Sequence, residues 1–74
     1  MAYVVGRCLL RKRLKEAHMT QVELADKMGV RVQQVSKYVR DERKMSLQTA
    51  INIAAIIKCH VEDLYEIIEV GDNE

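Results

Sequence analysis

The sequence predicts an all-α domain of five short helices, and three observations carry that prediction. The 74 residues contain no Pro and only three Gly, which leaves little material for the turns of a sandwich or barrel. Apolar residues recur at intervals of three and four along most of the chain, the spacing of a helix face. Helix stop and start signals stand between those stretches at Thr20, Gly29 and Ser46. Hydrophobic residues make up 49% of the chain and charged ones 31%, enough apolar material for one small core and enough charge for solubility. A chain of this length forms one domain, with its core over about residues 6–68, and relies on tight packing or on association with a second copy.

Taken in order, MAYVV is short, apolar and uncapped, and reads as a frayed start or as a segment lying along the domain or a partner. The first helix is expected from about Gly6 to Ala17, with Leu10, Leu14 and Ala17 inward and Arg7, Arg11, Lys12, Arg13 and Lys15 around them. Met19 takes the hydrophobic-staple position before the next helix. Thr20 and Glu23 form a capping box for the second helix, Gln21 to Met28. Leu24, Ala25 and Met28 share one face of it, and Gly29 suits a left-handed stop. The third helix, about Val32 to Arg40, carries Val35, Tyr38 and Val39 at i, i+3 and i+4. So short a corner forces the two helices to cross sharply, and Ala25 is small where the third would press on the second. That is the geometry of a helix-turn-helix.

A charged loop covers residues 40–46. Ser46 can N-cap a fourth helix from Leu47 to about Lys58, with Leu47, Ala50, Ile51, Ala54 and Ile57 inward and Ile53 and Ile56 widening the stripe. His60 can weakly cap a fifth helix, Val61 to about Ile68, which turns Val61, Leu64, Tyr65 and Ile68 to the core. Residues 71–74 read as a disordered polar tail.

The net charge of +1 says little, but its distribution says more. Residues 1–44 hold eleven Lys/Arg against five Asp/Glu, and residues 45–74 hold one Lys against six acids. A basic front and an acidic back suit a protein that sets one face on phosphates, although two differing solvated faces would look the same. Cys8 and Cys59 lie far apart and outside any metal-ligand spacing, so thiols in a reducing cytoplasm are expected before a disulfide. No apolar run reaches the length of a membrane span, and no signal-peptide core follows the start. Neither a catalytic constellation nor a phosphate-binding glycine loop is present. No enzyme activity, cofactor or metal is therefore expected.

With its helices placed, the chain resembles the phage-repressor and Cro type of helix-turn-helix protein, the xenobiotic-response-element-like regulators. The residues that carry the resemblance are Thr20-Gln21, Glu23-Leu24-Ala25, Met28-Gly29-Val30, Val35, Tyr38, Ser46-Leu47, Ile53-Ala54 and Val61-Glu62-Asp63-Leu64. The resemblance implies a compact five-helix lambda-repressor-like fold, a cytoplasmic transcriptional regulator, most simply a repressor, and duplex DNA as partner. The chain departs from the family's pattern at Arg31, where Ser or Thr often caps the recognition helix, and at Val39, Asp41 and Met45 in the following loop. Lys58 or Cys59 replaces a usual turn glycine.

At about 100° per residue, with Val35 inward, Gln33 and Lys37 point outward from the third helix. Gln33 can both donate to and accept from adenine, and Lys37 suits guanine O6 and N7. By resemblance these two are the leading base readers, with Gln34, Ser36, Arg31 and Val32 beside them. In the family the glutamine corresponding to Gln21 holds a phosphate and braces the recognition helix. Arg40, Arg43 and Lys44 are further candidates for phosphate contacts, although Asp41 and Glu42 interrupt them. A twofold homodimer is expected to read two half-sites, with Ile67, Ile68 and Val70 as spare apolar material for the contact. The competing reading is an antitoxin-like module that chiefly holds a small protein partner.

Overall fold

The structure is a computed structural model and describes residues 2–71. Its elements are β1 (Ala2–Cys8), α1 (Leu10–Glu16), α2 (Gln21–Met28), α3 (Val32–Val39), α4 (Leu47–Ile57), a 3-10 turn (Val61–Leu64) and β2 (Tyr65–Val70). This overturns the five-helix, all-α expectation at both ends. The first helix begins at Leu10, four residues later than predicted, and Gly6–Cys8 belong to a strand. The fifth helix is replaced by one 3-10 turn and a strand, and of its four predicted inward residues only Leu64 is fully buried. β1 and β2 pair antiparallel, Ala2 with Val70 through Val5 with Ile67. The physical reason is local composition. Tyr-Val-Val and Ile-Ile-Glu-Val are aromatic and β-branched, which favours a pleated surface over a helix. Of the tail predicted over residues 71–74, residues 72–74 lie outside the described residues.

The ribbon contains one bulge. Gly6 and Arg7 stand opposite Glu66 alone before pairing resumes at Cys8 and Tyr65. The Glu66 carboxylate accepts the Arg7 N–H at 3.0 Å and lies 3.5 Å from its guanidinium. A Cβ at position 6 would come within 2.9 Å of the Glu66 Cβ, so glycine gives the carboxylate its path.

Between the strands, the helices form as the caps dictate. Thr20 Oγ1 accepts the Glu23 N–H at 3.0 Å, while the Glu23 carboxylate accepts the Thr20 N–H at 2.8 Å. Ser46 Oγ accepts the Thr49 N–H at 3.1 Å. Each helix then stops on a left-handed residue, with the next N–H reaching five residues back. Met19 N–H donates to Leu14 O, Val30 to Ala25, Glu42 to Lys37 and Cys59 to Ala54, all at 2.9–3.1 Å. Only one of the four left-handed positions is a glycine, Gly29; the others are His18, Asp41 and Lys58.

The core lies where α1, α2, α3 and α4 meet the 3-10 turn. Leu10, Leu24, Val35, Ile53 and Leu64 are fully enclosed at its centre. α4 sits one step rotated from its expected orientation: Ile53 is central, whereas Leu47 is 70% exposed and Ile51 is also exposed. Leu64 takes the space that a fifth helix would have filled. Arg13 fixes that turn by donating from Nε to Asp63 O at 2.7 Å. Among the described residues, no helix is long and apolar enough to cross a membrane.

Two predictions follow from the caps and the bulge. A Cβ at Gly29 would meet nothing within 4 Å, so Gly29→Ala should cost only the left-handed backbone penalty, about 1–2 kcal/mol. Lys58→Gly should recover about 1 kcal/mol for the same reason. Urea midpoints at unchanged slope check both, and a destabilised Lys58→Gly would refute the backbone account. The second concerns acid. Glu66 is held below the usual carboxylate range, chiefly by the Arg7 N–H, and Asp63 likewise by the His60 N–H. Their stabilisation is therefore complete above the unfolded carboxylate value and fades as pH falls through the lower folded one. Arg7 and His60 amide resonances should move together with those carboxylates, at a pH below the ordinary carboxylate range.

Candidate nucleic-acid interface

The interface is built on α3, and its geometry follows from what α3 buries. Val35, Tyr38 and Val39 are pressed into the core, which leaves the opposite side to solvent. Gln33 and Lys37 stand on that side and are exposed. Val32, Gln34 and Ser36 flank them and are half-buried, while Arg31 is exposed at the leading end. Arg31 is the N-cap residue in extended conformation, and no side chain caps the first turn. The departure noted there leaves the helix in place and its leading N–H groups without a local side-chain acceptor.

The structure gathers Arg31, Gln33, Gln34, Lys37 and Arg43 around one shallow groove. Arg43 reaches it because the chain turns sharply after α3. Asp41 takes a left-handed conformation, and the Glu42 N–H folds back onto Lys37 O at 2.9 Å. The same Asp41 carboxylate accepts the Cys8 N–H at 3.2 Å, tying the base of β1 to the end of α3. The turn that brings Arg43 back beside α3 is thus made on an aspartate, without a glycine.

Gln21 stands at the start of α2 and meets α3 directly. Ser36 Oγ donates to Gln21 Oε1 at 2.7 Å, and so the Gln21 amide nitrogen keeps both of its donors. Gln34 is partly committed within its own helix, with Nε2 donating to the Tyr38 hydroxyl at 3.1 Å. Two of the sequence-selected cations are turned elsewhere. Arg40 pairs with Glu42 at 2.9 Å, and that hydrogen bond holds the Glu42 carboxyl below its ordinary value. The Lys44 ammonium lies 5.5 Å from the centre of the Tyr65 ring, over the root of β2. Tyr65 in turn accepts the Met45 N–H on its hydroxyl at 3.0 Å.

One cation escaped the sequence reading. Lys15 lines a groove with Arg11, Thr20 and Gln21, beside the N-terminus of α2. Its signal was the i, i+4 spacing from Arg11, which places both on one face of α1. Arg13, by contrast, faces the 3-10 turn and is only 21% exposed.

Comparison with known proteins agrees with this architecture. The family model described as "Helix-turn-helix" matches residues 10–64, from the start of α1 to the end of the 3-10 turn. The chain is 41% identical over 63 residues to the SPbeta prophage-derived uncharacterized HTH-type transcriptional regulator YopS of Bacillus subtilis (strain 168). That similarity covers 84% of this chain and 85% of the relative. A family match over most of the chain, a relative alike nearly end to end, and an α2–α3 corner turning on Gly29 lead to one assignment: the chain belongs to the phage-repressor-like helix-turn-helix family.

Proposed function

We propose that this chain is a sequence-specific duplex-DNA-binding transcriptional regulator, acting in the cytoplasm as a repressor, with α3 laid in the major groove. The observation that carries the reading is the split character of α3. One side is locked into the core, and the other presents Gln33 and Lys37 in a groove shared with Arg31, Gln34 and Arg43. A helix fits the major groove, where base edges display a full donor and acceptor code. Gln33 pairs with an adenine edge and Lys37 with a guanine edge. Val32 meets a thymine methyl, and Arg31 and Gln34 reach neighbouring bases.

The phosphate grip falls to Gln21, with its free amide donors at the start of α2, and to Arg43. Lys15 and Arg11 extend that track along α1. Arg40 and Lys44 contribute only by leaving Glu42 and Tyr65, which makes them secondary. Ser36 has a second part beside base contact. Its hydroxyl donates to Gln21 Oε1 and so positions the phosphate clamp, while its oxygen lone pairs stay available to a base-edge donor. Two copies related by a twofold axis engage half-sites about 34 Å apart, which gives the regulator its specificity.

Selection of bound sequences from a random DNA pool, at two salt concentrations, tests this reading; a pool that returns no preferred site defeats it. Gln33→Ala should relax the preference at one base pair, by about 1–3 kcal/mol there. Arg43→Ala should weaken all sequences alike and reduce the slope of log K against log salt by about one. Ser36→Ala should also weaken all sequences, through the loosened clamp. Loss of preference at a single base pair in Ser36→Ala would mark its base contact as well.

A further inference from the structure

The ribbon projects from the helical body, and the molecule measures 48 × 22 × 20 Å. By register, Ala2, Val4, Ile68 and Val70 share one face of the ribbon, while Tyr3, Val5 and Ile67 share the other. All seven are exposed, Tyr3 by 64% and Ile67 by 54%. A lone two-stranded ribbon is marginally stable in water, and apolar surface of this kind marks a covered contact.

The two open edges differ. β2 carries Glu66 and Glu69, so antiparallel self-pairing about Ile67–Ile68 would set carboxylate against carboxylate. β1 has neither charge nor Pro from Ala2 to Gly6, the devices that normally close an edge. Beyond Gly6 the edge is shut, because the Arg7 and Cys8 N–H groups are taken by the carboxylates of Glu66 and Asp41. The open length is therefore Ala2–Gly6, and Val4 is its midpoint. A strand paired antiparallel with its own copy is self-complementary about a twofold axis.

We propose that two copies join through the β1 edge about Val4, making one four-stranded antiparallel sheet in the order β2–β1–β1–β2. Ala2 then stands opposite Gly6 of the partner subunit, and Tyr3 opposite Val5 of the partner subunit. Val5 lines an apolar groove at the ribbon's root with Met45, Leu47, Ala50 and Tyr65. The pairing thus brings an incoming Tyr3 ring to the groove that holds exposed Leu47. This deepens the dimer expected of the regulator and rests on that part of the reading, but it requires no DNA.

The test uses the full chain without DNA. Sedimentation should show a dimer. In a Cys8→Ser, Cys59→Ser background, Val4→Cys should form a disulfide-linked dimer on mild oxidation. Ile68→Cys should not, because the two β2 strands lie three strand spacings apart, about 14 Å, beyond disulfide reach. Only monomer at high concentration, or linkage at position 68 equal to that at position 4, overturns the proposal. On the unsubstituted chain, amide exchange within residues 3–5 should slow as concentration rises through dimerisation, with residues 67–70 unchanged; the reverse pattern also overturns it. A chain that links at position 4 but selects no DNA site loses the regulatory reading alone. A chain that selects paired half-sites but does not link there loses only this one.

Discussion

The crossing of α2 and α3 is the constraint on which the rest of the molecule depends. It is set by a left-handed residue at Gly29 and by the absence of bulk at Ala25. The Val30 N–H closes back onto Ala25 O, so the residue that ends the first helix's ladder also lies buried between the two helices. With the corner fixed, Val35 is driven into the core and α3 has one rotational setting. Every statement about which side chains face outward follows from that setting. The Ser36–Gln21 hydrogen bond then spans the same corner on the solvent side, so packing and polar contacts hold one angle from opposite sides.

The loop after α3 makes a second rigid joint. Asp41 both ends the helix and receives the Cys8 N–H, while Tyr65 accepts the Met45 N–H and lies under Lys44. The strands are therefore anchored to the loop that follows α3 by hydrogen bonds as well as by chain connectivity. Burial of the Tyr65 hydroxyl and the Cys8 thiol raises both pKa values, and the two groups remain neutral around pH 7.

The middle of the fold was legible because its signals are local. Thr20 with Glu23, Gly29, and Ser46 before Leu47 each mark a helix boundary within a few residues, and Leu24, Val35 and Ala54 follow from period. The ends were not legible, for two physical reasons. The strands are some sixty residues apart, so no hairpin turn announces them. Both their faces are apolar, which erases the alternation of a half-buried strand and lets Val61, Leu64, Tyr65 and Ile68 imitate a helix. Within the site, outward-facing positions on α3 were readable from geometry. The partners that engage Arg40, Lys44 and Ser36 were not, since side chains choose among neighbours that the sequence does not place.

The separation of the two strands has a consequence for biosynthesis. β1 leaves the ribosome some sixty residues ahead of β2. At about 5–20 residues per second, several seconds pass between them. During that interval Tyr3, Val4 and Val5 have neither cross-strand neighbour nor folded body beneath them. Until β2 is made, β1 therefore stays an unpaired apolar strand, open to pairing with neighbouring chains on the same polysome.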